Sequence, residues 1–169
     1  MGGMNMTTRL FIDLERCREC DQCTAKCNYF YHPENQGVLF LREKAEMALT
    51  CRHCEEAPCV KACPVEALEK QPDGTLKRYN LRCVSCKTCC FACPFGVLLP
   101  ELVPYKTSMC DYCLDRLPEG KMPLCVETCP ELAIQYGAIE PIPEKHWFLV
   151  NEYLVVHRIP WNAAEMKEK

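Results

Sequence analysis

No run of apolar residues in this 169-residue chain approaches the roughly 20 that a membrane-crossing helix needs. Such runs as Val97-Leu98-Leu99 and Trp147-Phe148-Leu149-Val150 stop at Pro100 and Asn151. The opening Met1-Gly2-Gly3-Met4-Asn5-Met6-Thr7-Thr8-Arg9 has neither the apolar centre of a secretory leader nor a twin arginine. A surplus of one charge sign is missing as well. With 20 Lys and Arg against 23 Asp and Glu the formal charge is -3, which leaves no basic footprint for nucleic acid. Also absent are a glycine-rich phosphate loop, a nucleophile–base triad and a flavin fingerprint. The sequence therefore signals no pocket for organic catalysis.

Cysteine is what the chain has in excess, 17 residues, far above ordinary usage. In a short secreted chain such density would suggest a disulfide framework. The odd count, the missing leader and the tight clustering argue instead for thiolates bound to metal in a reducing compartment, the cytoplasm.

The cysteines form a fourfold internal repeat, which takes precedence over any secondary-structure pattern. The groups are Cys17-x2-Cys20-x2-Cys23-x3-Cys27, Cys51-x2-Cys54-x4-Cys59-x3-Cys63-Pro64, Cys83-x2-Cys86-x2-Cys89-x3-Cys93-Pro94 and Cys110-x2-Cys113-x11-Cys125-x3-Cys129-Pro130. Each has three cysteines followed, three residues on, by a fourth. This is the run that binds [4Fe–4S] clusters in bacterial ferredoxins. A cubane offers four irons at tetrahedral corners, and each wants a thiolate. One tight loop can wrap three corners, and the fourth cysteine reaches the other cluster of a pair. The expected place for that fourth cysteine is the start of a short helix, with proline at its first position. Zinc ribbons use two Cys-x2-Cys pairs some 15–20 residues apart rather than groups of four. Loaded with four oxidised cubanes, the protein would carry about -11, counting ligating thiols as ionised. Sixteen of the 20 Lys and Arg fall within residues 1–130, where they can offset that charge.

The chain also resembles a known family, the four-cluster ferredoxin-type subunits of molybdenum and tungsten enzymes. These include the iron–sulfur subunits of dimethyl sulfoxide reductase, polysulfide reductase, formate dehydrogenase and formate hydrogenlyase, with related subunits in carbon monoxide dehydrogenase and tungsten aldehyde oxidoreductases. The resemblance runs from about Phe11 to Ile134. It is carried by Cys51-Arg52-His53-Cys54-Glu55-Glu56-Ala57-Pro58-Cys59-Val60-Lys61-Ala62-Cys63-Pro64, by Cys93-Pro94-Phe95-Gly96-Val97, by Cys110-Asp111-Tyr112-Cys113-Leu114-Asp115-Arg116-Leu117 and by Pro123-Leu124-Cys125-Val126-Glu127-Thr128-Cys129-Pro130. It implies that group one pairs with group four and group two with group three. One cluster would take Cys17, Cys20, Cys23 and Cys129, and its mate Cys110, Cys113, Cys125 and Cys27. In the second pair one would take Cys51, Cys54, Cys59 and Cys93, and the other Cys83, Cys86, Cys89 and Cys63. Some relatives replace a cysteine of the third group and hold a [3Fe–4S] cluster. Here all four are present, so four [4Fe–4S] clusters are expected. The departure is Asn28, standing where proline would follow Cys27.

Several residues carry competing interpretations. Cys90 completes no quartet and is expected to be a small buried apolar residue rather than a redox-sensitive thiol. His53 sits between two ligands and is expected to face solvent or to stand beside a cluster, not on it. His32, His146 and His157 belong to no motif. Asp111, Arg116 and Lys61 could tune potential by charge, though any one charge is ordinarily part of a solvated face. Leu14, Val60, Val84, Val97, Val126 and Ile134 are expected to pack around the clusters. Short strands are expected at 9–14, 133–138 and 153–159, the last alternating and half-buried. A small hairpin is expected about Gln71-Pro72-Asp73-Gly74 and a helix at 44–49.

The expectation is thus an α+β, ferredoxin-like fold. Residues 1–130 would form two pseudo-symmetric two-cluster units, one from 17–27 and 110–129 and one from 51–63 and 83–93. Residues 131–169 would be a cysteine-free cap and tail, with Trp161 and Met166 as candidate docking anchors. The resemblance implies a non-catalytic subunit that wires a large tungsten or molybdenum pterin enzyme, with flavin or further electron-transfer subunits as additional partners. The alternatives are a conducting backbone of a self-associating or filamentous complex, a hydrogenase or carbon monoxide dehydrogenase subunit, and a free polyferredoxin.

Overall fold

A computed structural model describes residues 7–29, 34–104, 108–118 and 120–160. His32, Trp161 and Met166 lie outside the described residues. The chain divides into two compact units. One comprises Met1–Leu41 with Met109–Lys169, and the other is Arg42–Ser108. The strands of segment 131–169 belong to the first unit.

In that unit β1 (Arg9–Asp13) ends at Asp13, whose carboxylate accepts hydrogen bonds from the backbone N–H groups of Glu15 and Arg16 at 3.0 and 3.2 Å. This N-cap satisfies two orphan donors of α1 (Leu14–Cys17) and turns the chain so that α1 delivers Cys17. β1 pairs antiparallel with β4 (Ile134–Gly137), Ile12 opposite Ile134, and parallel with β6 (Leu154–His157), Leu10 opposite Leu154. β6 in turn pairs antiparallel with β5 (Trp147–Asn151), giving the order β4-β1-β6-β5. The expected half-burial of β6 is corrected. Leu154, Val155 and Val156 are all 0% exposed, because the strand is central in the sheet and covered on both faces. Each such side chain contributes roughly 1.5–3 kcal/mol of hydrophobic stabilisation. β5 is an addition, since its apolar run does not alternate. Its Trp147 ring lies 4.5 Å from that of Phe11.

The division between the units falls inside α2 (Gly37–Ala45), which continues into a π turn, Glu46–Thr50. There the Cys51 N–H bonds the Glu46 carbonyl at 2.9 Å. The expected helix at 44–49 is therefore the widened end of a longer helix that aims the chain at Cys51.

The second unit holds α3 (Pro58–Lys61), β2 (Leu68–Lys70), β3 (Leu76–Arg78) and α4 (Thr88–Ala92). β2 and β3 form the expected hairpin, closed by Gly74 N–H to the Gln71 carbonyl at 2.9 Å. Asp73 accepts the Thr75 hydroxyl and N–H at 2.6 and 2.9 Å, which holds its carboxyl below the usual range. Met47, Cys59, Leu68, Cys89, Leu98 and Val103 form the core, with Val60 and Cys90 packed partly buried against it. Glu43 and Arg78 make a two-pronged buried ion pair at 2.6 and 2.5 Å. Val84 departs from the expected inward packing, being 52% exposed. In the first unit Leu14 and Ile134 are buried and Val126 partly so, and in the second Val97 is buried.

Candidate metal centres

The repeat in sequence is a repeat in backbone. The third cysteines of groups two, three and four, Cys59, Cys89 and Cys125, each occupy the second position of a short helix, α3, α4 and α5 (Leu124–Thr128). The fourth cysteines follow those helices. Cys93 and Cys129 are the residues that end α4 and α5, and Cys63 lies one place beyond the end of α3. This corrects the expectation that the fourth cysteine opens a helix. The proline after it lies in a turn, where its missing N–H is equally harmless.

Each turn ends on a left-handed residue whose N–H returns to the cysteine carbonyl. Glu66 (φ 49°) bonds Cys63, Gly96 (φ 62°) bonds Cys93 and Leu132 (φ 50°) bonds Cys129, at 3.4, 3.2 and 3.2 Å. Glycine takes this conformation freely, whereas glutamate and leucine carry the strain that functional turns often hold. The turn then feeds a buried residue, Ala67, Val97 or Ala133. A second repeated kink precedes the second cysteine of the same three groups, at His53 (φ 48°), Ser85 (φ 55°) and Tyr112 (φ 57°). These kinks turn backbone N–H groups onto sulfur. His53 N–H faces Cys51 Sγ at 3.5 Å and Tyr112 N–H faces Cys110 Sγ at 3.4 Å. Ala67 N–H donates to Cys63 Sγ at 3.2 Å, and the Thr88 hydroxyl lies 3.3 Å from Cys86 Sγ, holding that exposed thiol below its usual range.

The thiols gather across motifs. In the second unit Cys51, Cys54, Cys59 and Cys93 line one pocket together with Lys70, whose ammonium donates to the Cys54 carbonyl at 2.9 Å. Cys89 has Cys90, Cys83 and Cys63 as its neighbouring thiols. In the first unit Cys110 has Cys125, Cys27 and Cys113, while Cys20 has Cys129 and Cys23. Burial, with these neighbours, pushes the Cys89, Cys110 and Cys125 thiols up to about 12. Among the described residues no three His, Cys, Asp or Glu side chains converge on a position for a single ion.

The charged residues named from sequence divide. Lys61 pairs with Glu56 on an exposed face. Arg116 grips Asp111 through two bonds at 2.6 and 2.7 Å, donates to the Asn28 carbonyl at 2.8 Å and lies 3.8 Å from Cys113 Sγ. Burial works against the Asp111 charge, yet Arg116 holds its carboxyl below the usual range. His53 Nε2 is 3.3 Å from the Met47 carbonyl, His157 Nδ1 is 3.0 Å from Asp13 Oδ1, and His146 ends a 3₁₀ turn.

Residues 45–139 match the profile of the 4Fe–4S dicluster domain. The chain belongs to the family of 4Fe–4S ferredoxin-type electron-transfer subunits. It is similar to a component of the anaerobic dimethyl sulfoxide reductase of Escherichia coli K12, with 35% identity over 83% of this chain and 79% of the relative. It is similar to the thiosulfate reductase electron transfer subunit PhsB of Salmonella typhi, at 33% over 85% and 84%. A component of the tetrathionate reductase of Salmonella typhimurium is similar at 33% over 71% and 53%. Iron–sulfur clusters are thus the cofactor of this family, and the residues here fit them. The donors are all thiols, the soft ligand that iron–sulfur centres select. Backbone amides face the sulfurs, as a thiolate-bound centre requires for charge compensation. Among the described residues no helix is long and apolar enough to cross a membrane.

Sequence reasoning did not find Asn35, whose side chain reaches Cys27 Sγ, or Lys70. Neither belongs to a motif, and only the chain's path brings Asn35 to a thiol and Lys70 to the Cys54 carbonyl.

Proposed function

We propose that this chain carries four [4Fe–4S] clusters on sixteen cysteines. The ligand sets are Cys17, Cys20, Cys23 with Cys129; Cys110, Cys113, Cys125 with Cys27; Cys51, Cys54, Cys59 with Cys93; and Cys83, Cys86, Cys89 with Cys63. The two units would then be equivalent two-cluster modules. The observation that carries this is the pocket lined by Cys51, Cys54, Cys59 and Cys93, three thiols of one motif and the fourth of another. When bound, such clusters take up and release one electron at a time. The chain's own residues fix the thiols, aim amides at them and keep water from their apolar side.

The electron partner is a large catalytic subunit with a molybdenum or tungsten pterin. The relatives named for dimethyl sulfoxide, thiosulfate and tetrathionate reductases support a partner that reduces an oxidised sulfur or comparable compound, with this chain delivering the electrons from the cytoplasmic, reducing side. Anaerobic purification of the native complex, followed by iron and sulfide analysis and mass spectrometry of the co-purifying subunit, tests both halves. About sixteen irons and sixteen sulfides per chain are expected. Eight or fewer irons in fully active material would refute the four-cluster count, and a partner without a metal-pterin would refute the assignment of its class.

A further inference from the structure

The fourth thiol of the first group is held unlike its counterparts. Cys63, Cys93 and Cys129 are fixed by a proline turn that closes on a left-handed residue. Cys27 is followed by Asn28 instead, and side chains take over. Asn28 Oδ1 accepts the Leu124 N–H at 3.4 Å, and its carbonyl accepts Arg116. The thiol itself meets Asn35, a polar residue only 7% exposed. Asn35 Nδ2 lies 3.3 Å from Cys27 Sγ and 2.8 Å from the Met109 carbonyl, while Oδ1 accepts the Met109 N–H at 2.8 Å.

This arrangement fixes which end of the amide faces sulfur. The Met109 N–H needs an acceptor, so the oxygen points there. The two hydrogens of Nδ2 then go to the Met109 carbonyl and to Cys27 Sγ, and the donor capacity of the amide is used in full. Met109 immediately precedes Cys110, so one side chain ties the Cys27 thiol to the backbone that positions Cys110. Gly37 leaves room for the approach: a Cβ there would stand 3.1 Å from Cys27 Sγ and 3.4 Å from the Met109 carbonyl. A second donor, the Tyr29 N–H, faces the same sulfur at 3.4 Å.

We propose that Asn35 is a positioning residue that sets the potential of the centre held by Cys27, Cys110, Cys113 and Cys125. The proposal rests on that ligand set. A hydrogen bond donated to a ligating thiolate favours the more electron-rich state, so it raises the midpoint potential. Because Asn35 is buried, bulk water does not replace the bond when the side chain is removed.

The test is an electron paramagnetic resonance-monitored redox titration of the whole complex carrying Asn35→Leu or Asn35→Asp. Leucine keeps the branched outline of the side chain and removes both the donor to sulfur and the acceptor for the Met109 N–H. Aspartate keeps the acceptor for the Met109 N–H and puts an oxygen toward sulfur, so it reads the same effect should the leucine variant fail to accumulate. In each, one midpoint should fall by at least a tenfold change in the reduction equilibrium, about 59 mV for one electron. The other three should hold, and the shifted signal should be the one lost in Cys110→Ser. Variants with full iron and four unmoved midpoints would overturn the role of Asn35, as would a shift in a signal that survives Cys110→Ser. If Cys27→Ser and Cys110→Ser abolish different signals, the ligand set itself is wrong and the proposal falls with it. Those serine controls separate the two failures.

Discussion

Cys89 and Cys90 are adjacent, yet only one should hold iron. Their thiols lie within hydrogen-bond reach of each other on α4, so burial and the other thiols nearby tell them apart. Cys89 is 8% exposed, with Cys83 and Cys63 as thiol neighbours beyond Cys90. Burial pushes its thiol up to about 12, so without a metal it keeps its proton at neutral pH, and ligation is what ionises it. Cys90 packs partly buried on the core of Met47, Leu98 and Val103. Cys89→Ala should therefore lose about four of sixteen irons, or about one if a three-iron cluster survives in place of the cubane. Cys90→Ala removes one sulfur from a half-covered site, should cost about 1 kcal/mol or less, and should keep every iron. Iron and sulfide analysis of the two variants, purified anaerobically, measures the difference, and electron paramagnetic resonance shows whether a three-iron signal appears. Equal iron loss in both, or loss confined to Cys90→Ala, would show that the wrong thiol of the pair has been assigned to the cluster.

Two further outcomes are expected. Cys27→Ser and Cys110→Ser should perturb one and the same resonance signal, and Cys17→Ser a different one; matching signatures for Cys27→Ser and Cys17→Ser would refute the crossed ligation. Arg78→Ala should destabilise the second unit by about 3–5 kcal/mol, because it strands the Glu43 charge in a buried site. Denaturant titration followed by cluster absorbance measures this, and the double variant Arg78→Met with Glu43→Leu should recover most of the loss.

What the sequence made legible was local. The strand expected at 9–14 and the break at Gln71-Pro72-Asp73-Gly74 rest on short-range signals, and β1 and the β2–β3 hairpin lie where those signals point. β6 shows where short range ends. Tyr153-Leu154-Val155-Val156-His157 reads as half-buried, yet its burial is decided by β1 and β5 on either side and by what covers the sheet. Val84 shows the same limit in the other direction. It lies between Cys83 and Ser85 and is expected under the clusters, but the left-handed kink at Ser85 is part of a loop that leaves its side chain at the surface.

The site was legible for a different reason. A cubane needs thiols at fixed spacing in sequence, so the ligands announce themselves. The groups that tune them have no such constraint. Asn35 is eight residues from Cys27 and 74 from the Met109 backbone it also binds, and Arg116 is 88 residues from the Asn28 carbonyl. The missing proline at Asn28 was visible as a departure from the repeat. Its consequence was not, because the turn that proline would have supplied is replaced by three side chains, Asn28, Asn35 and Arg116, converging from separate parts of the first unit. A hydrogen bond to a thiolate can come from any residue that the fold brings within reach. Under the proposed ligation the cysteine pattern marks the atoms that would hold the clusters, and the long-range path of the chain brings up the groups that would tune them.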